Sequence, residues 1–239
     1  MKKLFLSIFT LITVTAFAQE KVVIADANAQ KRILTADFKG ISVSDGVQLY
    51  LTQGDEESVA VSTSDEKYME RFKTEVENGF LKIYYDNKGI NWTTNDKKKL
   101  KAYVSFKTLE KLQASGGANV KMQGTLDAAK LDIKFTSGSA FNGKLKAKDL
   151  AVEQNSGSAI NISGSADKIN VDVSSGAIFK GYDLAVDYCD AKASSGGGVR
   201  ITINKELSAK ANSGGGVKFK GDAVIKDIDV NSGGSVKKA

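Results

Sequence analysis

Along residues 111–239 apolar side chains recur at every second position in short runs, and Ser, Gly, Asn and Asp separate the runs. A period of two belongs to strands with one face turned inward. The separators are turn formers. A Ser-Gly pair followed by a small residue punctuates this pattern seven times. The copies are Ser115-Gly116-Gly117, Ser137-Gly138-Ser139, Ser156-Gly157-Ser158, Ser175-Gly176-Ala177, Ser195-Gly196-Gly197, Ser213-Gly214-Gly215 and Ser232-Gly233-Gly234. Their first glycines stand 22, 19, 19, 20, 18 and 19 residues apart. Seven places before that glycine stand Leu109, Leu131, Leu150, Ile169, Cys189, Leu207 and Lys226. Five before it stand Lys111, Ile133, Val152, Val171, Ala191, Ala209 and Ile228; three after it, Asn119, Phe141, Ile160, Phe179, Val199, Val217 and Val236. Each column is apolar in six copies of the seven.

A unit of about nineteen residues holds two strands and two turns. It cannot bury its own apolar face, but stacked units bury a continuous interior column. The pattern therefore predicts an all-β fold: a parallel, right-handed β-helix or solenoid of about seven Ser-Gly coils. Coils ~4.8 Å apart would make a rod on the order of 30 Å long. Glycine at the corner accepts positive φ or lets neighbouring coils approach. Stacked serine hydroxyls, and amides of Asn155, Asn212 and Asn231, are expected to link coils there. The glycines form no G-x-x-x-x-G-K-[ST] phosphate loop and open no helix. Nor do they form a calcium nonapeptide repeat, since Gly197-Gly198-Val199-Arg200 has arginine where that motif needs aspartate.

Residues 31–110 lack the Ser-Gly period yet read mostly as strand. Ile41, Val43, Val47, Leu49 and Leu51 alternate around the turn Ser44-Asp45-Gly46, and Val59 alternates with Val61. Asn78-Gly79 before Phe80-Leu81-Lys82-Ile83-Tyr84-Tyr85 is a hairpin signal. Thr63-Ser64-Asp65-Glu66 predicts the start of one short helix with Tyr68, Met69 and Phe72 on its apolar face. Lys88 to Lys101 reads as a polar loop or hairpin. This larger segment would cap the solenoid, whose end otherwise exposes its apolar cross-section. The order of motifs is specific. Phe38-Lys39-Gly40-Ile41-Ser42-Val43, then Gly46-Val47-Gln48-Leu49-Tyr50-Leu51-Thr52-Gln53-Gly54, then Asn78-Gly79-Phe80-Leu81-Lys82-Ile83, then repeated Ser-Gly corners, resembles the DUF2807 family. These are the "putative auto-transporter adhesin, head GIN domain" proteins, frequent in Bacteroidetes. The resemblance spans roughly residues 35–236 and implies a β-helix-like architecture with an adhesin-like role. It carries over no catalytic residue, and the chain shows no autotransporter barrel and no evident sorting domain.

The first eighteen residues change the picture of location. Lys2 and Lys3 precede an apolar run from Leu4 to Val14, and Ala16-Phe17-Ala18 fits a signal-peptidase site. The run is too short for a membrane-spanning helix. The expected organisation is 1–18 signal peptide, 19–110 N-terminal β-rich capping part and 111–239 solenoid repeats, with 19–239 one continuous unit. Cleavage near Ala18 would release an exported protein, periplasmic or secreted to the cell surface. No cysteine sits near that site, so no lipid anchor is expected.

Composition then removes chemistry. The 239 residues contain no histidine and one cysteine. That excludes Ser-His and Cys-His nucleophiles, His-ligated metals and a disulfide framework within the chain. The net charge of +6 is a mild basic excess. No cofactor and no metal site is expected. Asp183, Asp187 and Asp190 have oxygen ligands at a spacing common on surfaces. Cys189 occupies a column of Leu and Ile and reads as an inert core thiol.

Two outward columns carry the remaining candidates. Four places before the aligned glycine lie Leu112, Lys134, Glu153, Asp172, Lys192, Lys210 and Asp229. Glu153 beside Asp172 suits a carboxylate pair of a polysaccharide-acting, even degenerate, β-helix enzyme. A ladder of mixed sign explains the same residues without catalysis. Four places after the glycine lie Val120, Asn142, Asn161, Lys180, Arg200, Lys218 and Lys237. Lys180, Arg200, Lys218 and Lys237 would form a basic ridge suited to an anionic polysaccharide or envelope component. The competing reading is lysine placed for solubility and to blunt strand pairing. Nucleic acid fits poorly, because aromatics do not interleave with these cations. Trp92 with Tyr84, Tyr85 and Tyr103 either stacks on sugars or packs. The expectation is an exported, non-enzymatic binding or adhesin-like module without a transmembrane segment. The alternatives are the polysaccharide enzyme above and a self-associating scaffold formed by end-to-end homo-oligomers.

Overall fold

The alternation along the chain builds sixteen strands in a computed structural model that describes residues 26, 28–89 and 98–239. The expected signal peptide and Trp92 lie outside the described residues. The N-terminal strands are β1 (Gln30–Arg32), β2 (Gly40–Val43), β3 (Gln48–Gln53), β4 (Ser58–Ser62), β5 (Phe72–Glu77), β6 (Phe80–Tyr85) and β7 (Lys101–Phe106). The repeat region supplies β8 (Lys111–Ala114), β9 (Asn119–Phe135), β10 (Ala140–Gln154), β11 (Ala159–Val173), β12 (Ile178–Ala193) and β13 (Gly198–Ala211). It closes with β14 (Gly216–Lys220), β15 (Val224–Val230) and β16 (Ser235–Lys238). From β9 to β13 every strand pairs in parallel with the next, so the predicted parallel β-solenoid of about seven coils is the fold.

Each coil turns twice. At one turn the alternation breaks into two adjacent exposed residues, as at Ala129–Lys130, Lys148–Asp149 and Asp167–Lys168. At the other stands the Ser-Gly corner. Its two central residues both have positive φ, as in Ser156 at 52° and Gly157 at 69°. Two consecutive positive φ values make a type I′ turn. Serine bears the left-handed conformation at a cost of about 1 kcal/mol, and glycine bears it freely. The corners are laced together by backbone. Gly138 N donates to Ser156 O at 3.0 Å, Gly157 N to Ser175 O at 3.1 Å and Gly176 N to Ser195 O at 3.1 Å. The expected hydroxyl ladder is thus a peptide ladder. The amides do not form one row either: Ser174 and Ser194 stand between Asn155 and Asn212 in the corner column.

The register corrects the first copy. Leu112 pairs with Ile133, Val120 with Phe141 and Lys121 with Asn142. The first corner is therefore Gly116-Gly117, with φ of 57° and 74°, one residue later than the Ser115-Gly116 alignment. The shift replaces Lys111 by Leu112 and Asn119 by Val120, so both inward columns become apolar in every copy. The corner also has an earlier member, Asp45-Gly46, with φ of 59° and 70°. Gly46 N donates to Gly116 O at 2.9 Å, which continues the ladder.

Inward side chains fill the rod. Leu131, Leu150, Ile169 and Leu207 are each at most 2% exposed. Burial of one such side chain stabilises by about 1.5–3 kcal/mol. Large and small residues complement one another along a strand. A Cβ on Gly143 would stand 2.8 Å from the Phe141 ring, and one on Gly181 would stand 2.6 Å from the Phe179 ring.

The N-terminal part is interleaved with the rod rather than placed before it. β2 lies between β6 and β8, and β3 lies between β7 and β9, all in parallel. Antiparallel β5 then covers β6, while β4 and β1 cover β7. The expected short helix is a single 3-10 turn, Glu66–Tyr68, capped by Asp65. It cannot lengthen, because buried Phe72 already opens β5.

Candidate ligand-binding surface

The strand that leaves each Ser-Gly corner turns its even columns outward. Parallel register places Asn161 beside Lys180, Lys180 beside Arg200, Arg200 beside Lys218 and Lys218 beside Lys237. The four cations predicted to align are thus direct neighbours on consecutive coils, and all are exposed. At ~4.8 Å per coil they span about 14 Å. Among the described residues none of the four makes an ion pair. Like charges directly opposite in a sheet repel by a few tenths of a kcal/mol or more. An anionic partner relieves that repulsion.

The corrected register extends the column. Lys121, not Val120, is its member on β9, followed by Asn142 and Asn161. Beyond Lys121 come Tyr50 and then Tyr103. The two rings stack with centroids 5.1 Å apart and 13° between planes. Lys121 Nζ sits 6.0 Å from the Tyr50 ring centre. The column beside the cations is Ala140, Ala159, Ile178, Gly198 and Gly216, small in every copy but the one with exposed Ile178 beside Lys180. Gly198 and Gly216 leave Arg200 and Lys218 standing clear of the sheet on that flank.

The other candidates assemble differently. Tyr103 is 3% exposed and Tyr85 4% exposed, the latter edge-on to Tyr68. They are packing residues, and no sugar platform forms from them. Glu153 and Asp172 are neighbours, as expected, in the row Gln113, Lys134, Glu153, Asp172, Lys192, Lys210 and Asp229. Gln113 replaces the Leu112 of the original alignment. Lys134 Nζ pairs with Glu153 Oε1 at 2.8 Å. Gln113, Lys134, Glu153, Asp172 and Lys192 of this row line a shallow depression of about 500 Å³ with Asp132 and Asn170. Lys134 and Lys192 flank the two carboxylates on this exposed face, the arrangement of a ladder of mixed sign.

Asp187 is held by Lys205 at 2.7 Å. That hydrogen bond keeps its carboxyl below the usual carboxylate range. Among the described residues no three His, Cys, Asp or Glu side chains gather to hold a metal ion. Cys189 is buried in register with Ile169 and Leu207. Burial, aided by the charge of Asp190, pushes its thiol up to about 12. The reactive thiolate is thus scarce at neutral pH, and access is closed. A thiol-reactive disulfide reagent at pH 8 should label no cysteine in the folded protein and one per chain in denaturant. Rapid labelling without denaturant would show that the coil around Cys189 opens readily.

Solved structures with the same architecture exist. A putative adhesin from Bacteroides fragilis superposes with a TM-score of 0.78 at 17% identity, covering 90% of this chain and 98% of its own. A putative adhesin from Parabacteroides merdae gives 0.69 at 17% identity, covering 90% and 97%. A putative lipid binding protein from Parabacteroides distasonis gives 0.60 at 20% identity, covering 90% and 98%. At these identities the likeness is one of fold. No functionally curated protein matches the chain. The family described as "Putative auto-transporter adhesin, head GIN domain" matches residues 37–223, and with the corner motifs and interleaved cap now in place, the chain belongs to that family, DUF2807.

Proposed function

We propose that the protein is an exported, non-catalytic binding module of the cell envelope, whose basic column takes a linear anionic polysaccharide. The observation that carries this reading is the unbroken register of Lys180, Arg200, Lys218 and Lys237 on consecutive coils. A row of cations about 4.8 Å apart follows an extended polymer better than a compact ligand. The adhesin description of the family and of its structural neighbours supports a binding role. The signal-peptide pattern of residues 1–18 supports export. Among the described residues no helix is long and apolar enough to cross a membrane. Strands β1–β7 then supply the first coil strands and their cap, and residues 111–239 the coils that present the ligand surface.

The test is retention on immobilised anionic and neutral polysaccharides across a salt series. Wild type runs beside the triple variant Lys180→Glu, Arg200→Glu, Lys218→Glu, with released sugar assayed in each fraction. A cation near an anionic surface contributes about 1 kcal/mol. Loss of three then weakens retention on the order of 100-fold, and reversal weakens it further. Salt should weaken the wild type in the same direction, since screening sets in beyond about 10 Å at 0.1 M. Equal retention of both proteins overturns the basic column as the binding surface. Sugar release would move the polysaccharide-enzyme reading ahead, with the depression around Glu153 and Asp172 as its site.

A further inference from the structure

Among the described residues the two ends of the rod differ. At the N-terminal end antiparallel strands cover the stack. At the opposite end β15 pairs only with β13, and β16 pairs only with β14, among the described residues. Ile225, Ile228 and Val230 lie in register with Leu207, Ala209 and Ala211, which are buried. They therefore belong to the interior columns, yet they are 42%, 44% and 44% exposed. Unpaired strand edges beside open apolar columns are a template for another strand.

The polar positions select the partner. β15 turns Asp227 and Asp229 outward, in register with Ser208 and Lys210. β16 turns Lys237 outward, in register with Lys218. One edge is thus acidic and the other basic. Lys238, which follows, is already engaged by Asp222 at 3.4 Å. Pairing β15 with the β15 of a second copy is poor. Centred on Ile228, antiparallel pairing sets Asp227 opposite Asp229; centred on Asp229, it sets that aspartate opposite itself. Like charges directly opposite are destabilising. Pairing β15 with the β16 of a second copy removes the conflict. When Val230 faces Val236, Asp229 faces Lys237, and the twofold operation repeats the contact in reverse.

We infer that the open ends of two copies pair through an isologous contact, β15 of each against β16 of the other, with Asp229 opposite Lys237. The contact is antiparallel, continues the sheets across the junction and closes the apolar columns of both rods. It leaves Lys180, Arg200 and Lys218 free on each half and takes Lys237 from the end of the basic column, so the triple variant, which keeps Lys237, tests the polysaccharide reading separately.

Sedimentation velocity over a concentration series tests the inference. The wild-type protein should show a concentration-dependent dimer and nothing larger. Asp229→Lys alone and Lys237→Asp alone should each raise the dissociation constant at least tenfold. The two together should restore it towards wild type. Both positions are exposed, and circular dichroism of each variant checks that the rod is intact. In a variant carrying both Asp229→Cys and Lys237→Cys, oxidation should give a covalent dimer, with buried Cys189 silent. A protein that stays monomeric throughout overturns the contact. So does tighter association of Asp229→Lys, which would point to β15 pairing with itself, or failure of the charge swap to restore the dimer. The triple glutamate variant should dimerise like wild type, so lost ligand retention and lost dimer are read separately.

Discussion

Gly164→Ala should destabilise the protein by on the order of 2–6 kcal/mol, far more than a glycine-to-alanine change normally costs. Gly164 has φ of +114°, well outside the left-handed helical well that non-glycine residues visit. Strain of that kind costs about 1–3 kcal/mol. A Cβ there would also stand 1.9 Å from the carbonyl oxygen of Leu145 on the preceding coil. Relieving such a contact by shifting backbone costs roughly another 1–3 kcal/mol. Gly164 is in register with Leu145 on one side and Leu184 on the other, so neither coil can yield without disturbing buried leucines. Gly157→Ala is the matched control. Its φ is +69°, and a Cβ there meets nothing within 4 Å. Its cost is about 1 kcal/mol of left-handed strain. Urea midpoints of both variants against wild type decide the matter. Equal losses would mean that conformation alone, not the approach of the coils, sets the requirement for glycine at 164.

Phe135→Ala should cost about 3–5 kcal/mol, as truncation of a buried aromatic generally does. Phe135 is fully buried, and its ring meets that of Phe141 edge-on at 5.9 Å. Its register neighbours are Ala114 and Gln154, neither able to fill the space left behind. Gln154 makes the site less forgiving still. Its side chain is 1% exposed, and Oε1 has no partner while Nε2 donates to Ile178 O at 3.3 Å. In a stack where each coil touches only its neighbours, the loss stays local. Hydrogen exchange should therefore accelerate first in β9 and β10, with β12 and β13 protected nearly as before. Uniform acceleration across all coils would mean that the rod opens as one cooperative unit.

The coils were legible in the sequence because they are built from local signals. Alternation marks the inward residues, and Ser-Gly marks the corner where φ turns positive. The first corner was misplaced by one residue because Ser115-Gly116-Gly117 offers two glycines, and only pairing of Leu112 with Ile133 chooses between them. Asp45-Gly46 went unrecognised as a corner because aspartate replaces serine, although both serve the same positive φ. Insertion of β2 and β3 between later strands had no local signal at all, since parallel partners are fixed by the whole stack. For the same reason the basic column was visible from Lys180 onward, whereas Lys121 and Tyr50 joined it only once the register was known.

The interleaved N-terminal layer has a consequence for how the chain is made. β2 and β3 are the first coil strands to emerge, yet their partners on one side, β6 and β7, lie between residues 80 and 106, and those on the other, β8 and β9, lie beyond 110. An emerging chain cannot pair both edges of β3 until β9 has been made, past half its length. Closing such long loops before any contact repays them is the slow kind of step in folding. Every coil after β9 needs only the coil before it, so once that first knot of strands is tied, the rest winds on in the order of synthesis, each turn templated by the edge of the last.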